Sequence, residues 1–151
     1  TGLRISELIE IRVDDIAISE GTVKVLGKRN KERIIPLSKK TAEQLSIFLN
    51  MRKDSGFADH PYLFLTSKGD KVYPRLVYRI VNKYLSQVTT LKKKSPHILR
   101  HTFATHMLNH GADLNAVKEF LGHANLAATQ VYTHNTVEKL KSIYKQAHPR
   151  A

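Results

Sequence analysis

Two segments of the 151-residue sequence concentrate side chains that could bind and act on an anion. Residues 97–106 read H-I-L-R-H-T-F-A-T-H. On a helix His97 and Arg100, three apart, share a face. Near a helix N-terminus the backbone N–H groups and the dipole favour an anion at the same place. A guanidinium can grip phosphate with two parallel hydrogen bonds, and an imidazole can donate to that group or accept from it. Metal binding is the weaker reading. His97 and His101 enclose Ile, Leu and Arg, without the glutamate of an H-E-x-x-H zinc motif. The plain reading of His101, His106 and His110 is a core or capping role. Residues 121–134 read L-G-H-A-N-L-A-A-T-Q-V-Y-T-H, placing His123 after a Gly turn and Tyr132 nine residues later. A tyrosine in a loop is most often a packing residue, and there are six to choose from.

The charge says which anion. Lys and Arg number 25 against 13 Asp and Glu, a net charge of +12. An excess of that size implies an anionic partner, most simply a nucleic-acid backbone. From residue 71 to residue 112 there is no Asp or Glu, while Lys71, Arg75, Arg79, Lys83, Lys92, Lys93, Lys94 and Arg100 are positive. Solvated faces usually interleave both signs. A phosphate-facing surface explains the run better. The absence of cysteine excludes disulfides, cysteine zinc sites, iron–sulfur clusters and a thiol nucleophile. No apolar run approaches the roughly 18 residues of a membrane span, and the chain reads as soluble and cytosolic.

These residues need a scaffold, and length allows one domain or two small lobes. Leu3, Ile5, Leu8, Ile9 and Ile11 recur at near-helical spacing without a clean cap in front, which reads as a chain cut inside a domain. Short β-type runs follow at 16–18, 22–26 and 33–37, separated by Glu20-Gly21 and by the basic turn 27–31. They predict a small antiparallel sheet of about three strands. Ser38 caps a helix fading toward Asp54, and 57–70 reads as a loop with a short apolar run at 62–65. Pro74 opens a helix through Leu85, and Ser95-Pro96 opens another to about Asn109, ended by Gly111. Asp113 caps a helix closed by Gly122. A helical turn is expected near 125–130 and a last helix over 136–147. The last carries an apolar stripe at Val137, Leu140, Ile143 and Tyr144, suited to docking on its own domain or on a neighbouring protomer. The fold class is α+β, mainly helical, with the sheet packed against a helical bundle.

Four segments together resemble one family. T-G-L-R-I-S-E-L at the start, G-K-R-N-K-E-R on the hairpin, S-P-H-I-L-R-H-T-F-A-T-H and L-G-H-A-N-L-A-A-T-Q-V-Y-T-H are similar to the catalytic domain of tyrosine recombinases, the phage-integrase family, and closely to its Xer-type members. The resemblance runs over all 151 residues, to the final His-Pro-Arg-Ala. It implies that Arg4 and Arg100 grip the scissile phosphate, that Lys28 is the hairpin lysine, and that His97 begins the His-x-x-Arg motif. His123 stands where the family has His or Trp, and Tyr132 is the implied nucleophile. The family's N-terminal core-binding domain and the first helices of its catalytic domain have no counterpart in residues 1–151.

The implied reaction is DNA strand exchange. Tyr132 attacks a backbone phosphodiester, forming a 3′-phosphotyrosyl link and releasing a 5′-hydroxyl, and another strand's 5′-hydroxyl reverses the step. The covalent link conserves the bond energy, so neither ATP nor a metal nor any other cofactor is implied. A phenol ionises near pH 10. His97 is the implied proton acceptor, His123 a donor to a non-bridging oxygen, and Lys28 the acid for the leaving oxygen. The implied partners are double-stranded DNA and the same or related protomers in a tetrameric synaptic complex; a DNA translocase is a further candidate, and a membrane is not. Two alternatives stay open: DNA relaxation of the type IB topoisomerase kind, and a DNA-binding module without catalysis.

Overall fold

Alternating runs in the first third of the chain close into a three-stranded antiparallel sheet, and helices cover it. The computed structural model describes residues 1–27, 31–91, 93–122 and 134–147. A four-residue helix α1 (Ile5–Leu8) leads through a 3₁₀ turn (Val13–Asp15) into β1 (Ile16–Ala17), β2 (Thr22–Leu26) and β3 (Glu32–Pro36), in the order β1-β2-β3. Val23 pairs with Ile35 and Val25 with Arg33. Period-two alternation buries Val23 and Val25 and exposes Lys24 and Leu26. The expected strand at 22–26 is found residue for residue, and the third lies one residue earlier than expected. Pro36 is tolerated as the last residue of an edge strand, where its missing N–H costs little.

Helices α2 (Lys39–Lys53), α3 (Pro74–Val88), α4 (Pro96–Asn109), α5 (Leu114–Leu121) and α6 (His134–Ala147) complete the described fold. Local chemistry sets their ends. Ser38 Oγ accepts from the Thr41 N–H at 3.2 Å, and Asp113 Oδ2 from that of Ala116 at 3.0 Å. Pro74 and Pro96 occupy first turns, where no intrahelical donor is lost. The mixed α+β class with its small sheet is as expected.

One expectation needs correction. The apolar recurrence from Leu3 to Ile11 yields one helical turn, because the chain at 11–13 pairs with 61–63 instead. The Leu63 N–H donates to the Ile11 carbonyl at 2.8 Å and that of Val13 to Pro61 at 2.9 Å. The segment read as a loop is thereby fastened, and buried Arg52 ties it further through the carbonyls of Phe57 and Leu63. The helical turn expected near 125–130 lies outside the described residues.

The core joins Val23, Val25 and Ile35 to Met107, Phe120 and Leu140. Tyr144 is buried in it, its ring stacked on Phe120 at 5.8 Å. Helix α6 thus docks on its own domain through Leu140, Tyr144 and Ala147, spaced as one helical face. Among the described residues no helix is long and apolar enough to cross a membrane.

Candidate active site

Arg4 caps α1, and its position follows from Glu7. The Glu7 side chain lies in the stripe Leu3–Glu7–Ile11, on the inward face, and only 4% of the residue is exposed. A carboxylate there must be paired. Its Oε1 accepts from Arg4 Nη1 at 2.7 Å and from Arg33 Nη1 at 2.9 Å. Its Oε2 accepts from Arg33 Nη2 at 2.8 Å and from the Arg4 backbone N–H at 2.9 Å. These four bonds fill the acceptor capacity of the carboxylate. Burial alone would raise the Glu7 pKa. The hydrogen bonds from Arg33 and Arg4 and the charge of Arg33 outweigh it and hold the carboxyl down at about 2.

Arg100 arrives from α4, one turn past the helix start. Its Nη1 donates to the Gly2 carbonyl at 2.6 Å and its Nη2 to that of Leu121 at 2.7 Å. Arg4 Nη2 donates to the next carbonyl, Gly122, at 3.1 Å. Two arginines 96 positions apart therefore meet on consecutive carbonyls at the end of α5. Burial, and then the charge of Arg4, push the Arg100 guanidinium down to about 10, still protonated at neutral pH.

Glycine makes this convergence possible. Gly122 ends α5 in the left-handed region at φ 66°, and a Cβ there would stand 2.9 Å from Arg33 Nη1. Gly2, at φ 61°, would place a Cβ 2.6 Å from the Phe103 ring. Both glycines let backbone approach side chains that no larger residue could meet.

Of the expected site residues, the structure brings Arg4 and Arg100 together. His97 stands exposed on the first turn of α4, three residues before Arg100. Lys28, His123 and Tyr132 lie outside the described residues. The chain neighbours Gly27 and Gly122 are described. The Gly27 N–H donates to the Lys31 carbonyl at 2.8 Å across the base of the hairpin, and Gly122 adjoins the arginine pair. The other histidines divide. His101 is exposed, whereas His110 is the C-cap of α4 with Nδ1 2.8 Å from the His106 carbonyl. Among the described residues no group of His, Asp or Glu could hold a metal ion.

The sequence reading missed Glu7 and Arg33. Each carried a signal: Glu7 interrupts an apolar stripe at helical spacing, and Arg33 shares inward parity with Ile35. That the two would pair with each other was not visible in either.

The model of the phage integrase family matches residues 1–139. The chain belongs to the phage integrase family. It is 46% identical over 156 aligned residues to the tyrosine recombinase XerC of Chlorobaculum tepidum, covering 99% of this chain and 46% of that protein. The chain thus spans about half the length of the curated relatives it matches. The crystal structure of XerA recombinase aligns over 100% of this chain and 55% of its own, with 32% identity and a TM-score of 0.77. That of XerH site-specific recombinase bound to palindromic difH substrate, a post-cleavage complex, aligns over 94% of this chain and 41% of its own, at 29% identity and a TM-score of 0.73. The resemblance drawn from the four motifs is borne out, Xer-type relatives included. The family match spans the positions of all six expected site residues.

Proposed function

We propose that residues 1–151 are the catalytic domain of a site-specific DNA recombinase, which works with a core-binding domain and further helices encoded upstream. One observation carries the reading. Guanidiniums from two distant motifs, Arg4 and Arg100, converge on the carbonyls of Leu121 and Gly122, immediately before His123. A scissile phosphate seated on this pair meets two cations that are positioned before it arrives, so charge developing in the transition state is stabilised without reorganisation.

In this reading the Tyr132 oxygen attacks phosphorus in line while His97 accepts the phenol proton. The bond to the 5′-oxygen breaks as Lys28 protonates that oxygen, leaving a 3′-phosphotyrosyl link and a free 5′-hydroxyl. A 5′-hydroxyl of another strand then attacks the link and regenerates the tyrosine. His123 donates to a non-bridging oxygen throughout. Protein cations balance the charge, and the ester energy is kept in the covalent link. The substrate is double-stranded DNA, held by several protomers in a tetrameric synapse, with a DNA translocase as a further partner. The site of action is the cytoplasm, and both chromosome dimer resolution and element integration fit the chemistry.

The burial of Tyr144 against Phe120 supports Tyr132 as the nucleophile, because Tyr144 is held in the core with its phenol pushed up by burial. The test is to incubate the full-length protein with a nicked suicide duplex and map the nucleotide-linked peptide. The adduct is expected on Tyr132 alone. An adduct on another tyrosine overturns the assignment, and sequence-dependent binding without any adduct returns the molecule to a non-catalytic DNA-binding module.

A further inference from the structure

Arg33 is a buried cation with no part in the reaction proposed above. It lies on the inward side of β3, opposite Val25 and two residues from Ile35. Period-two alternation calls for an apolar side chain at that position, and a well-packed one commonly serves stability as well as a buried ion pair. The partner of Arg33 suggests why a guanidinium stands there. Glu7 also accepts from Arg4, and with Arg4 alone the two charges would cancel. Arg4 would then present no net charge to a phosphate. With Arg33 present, its two terminal nitrogens engage both Glu7 oxygens, and two guanidiniums share one carboxylate. Its Nε is tied to the Phe120 carbonyl at 3.1 Å, which fixes the plane of the fork. The exposures divide the labour: 25% of the Arg4 side chain is accessible and 6% of that of Arg33. Arg4 can meet a ligand; Arg33 cannot.

We infer that Arg33 is a positioning residue of this site, which acts through Glu7 to leave Arg4 a net cation facing the phosphate without itself touching DNA. The inference rests on the recombinase reading above. A lysine in its place would keep the charge but lose the fork and the Phe120 bond.

The experiment uses full-length protein and a nicked duplex carrying the site that the parent selects from random-sequence DNA. Covalent-complex formation and equilibrium binding are followed in parallel. Arg33→Met should slow covalent-complex formation about 10²-fold or more while binding falls less than about tenfold. The informative variant is Arg33→Met with Glu7→Gln. Removing the carboxylate charge releases Arg4, so the double variant should react at least about tenfold faster than Arg33→Met alone. A merely structural Arg33 predicts the opposite, since the double variant has lost more hydrogen bonds. A double variant as slow as the single, or slower, overturns the inference. Should Arg33→Met fail to fold, Arg33→Lys decides: it should stay within about tenfold of the parent, and a loss as large as that of Arg4→Ala overturns the inference. A parent that binds its selected site without forming a covalent complex is a different failure. It overturns the recombinase reading, and the role of Arg33 falls with it.

Discussion

The chain keeps positive charge in two kinds of place. Around Glu7, three guanidiniums are each committed to named oxygens at 2.6–3.1 Å, and backbone carbonyls at the end of α5 hold them in register. On the outer face of α3, Arg75, Arg79 and Lys83 project into water at i, i+4 and i+8, and among the described residues they have no ion-pair partner. The residue types are the same and the physics is not. In the first place a low dielectric and fixed geometry make each charge strong and dependent on all the others. In the second, water and salt screen each charge, and only their number matters. Charge alone therefore does not identify a catalytic arginine. What sets Arg4 and Arg100 apart from the cations of α3 is that the fold restrains where they point.

Removing a charge from each place should separate the two most widely in stability. Glu7→Ala leaves Arg33 buried without its counter-charge and should destabilise the protein by about 3–5 kcal/mol in denaturant melts. Arg79→Ala should stay within about 0.5 kcal/mol. Acid gives the same contrast without mutation. The Glu7 carboxyl is held at about 2 against an ordinary value of 4.5. A carboxyl depressed in the folded state contributes fully above the unfolded value, and that contribution is lost as pH falls from 4.5 toward 2. The loss should be on the order of 3 kcal/mol, and Glu7→Gln should flatten that limb of the stability–pH curve. An unchanged limb in Glu7→Gln would assign it to other carboxylates.

In rate the contrast is nearly as large. Arg100→Lys keeps the charge but cannot span the carbonyls of Gly2 and Leu121 while addressing a phosphate. Covalent-complex formation should slow roughly 10²–10³-fold. Added salt should not alter that ratio, because the defect is geometric. Were the loss less than tenfold, or were it to vanish at high salt, Arg100 would belong with the surface cations.

How much of this was legible beforehand differs between the same two regions. The basic surface of α3 could be read directly, since an acid-free run and a Pro-initiated helix are local properties. The caps at Ser38, Asp113 and Gly122 were legible for the same reason. The positions of Arg4, His97 and Arg100 emerged from motifs, but the motifs carried no geometry. The bond network joining α1, β3 and the end of α5 links residues 26 and more positions apart. No periodicity encodes such a link. The shortening of the first helix has the same origin, because residues 11–13 pair with 61–63 rather than with their own neighbours.

The smallest expected effect is the one that tests the surface half of the comparison. Arg79 sits midway along the basic stripe of α3, its guanidinium 3.2 Å from the Tyr73 hydroxyl, and among the described residues it has no ion-pair partner. If it contacts one DNA phosphate, Arg79→Ala removes one released counterion. The slope of log K against log salt should then become shallower by about 0.9. At low salt the affinity should drop several-fold, and the difference should shrink as salt rises. The rate of covalent-complex formation at saturating protein should not move, since Arg79 adds nothing to the reacting phosphate. Arg75→Ala and Lys83→Ala should behave alike, and the pair together should change the slope by about twice as much, because separate phosphate contacts add. A slope unchanged by all three would show that this face of α3 does not meet DNA. A rate that falls with binding intact would mean that α3 reaches the reacting phosphate, and the division between restrained and collective charge would have to be redrawn.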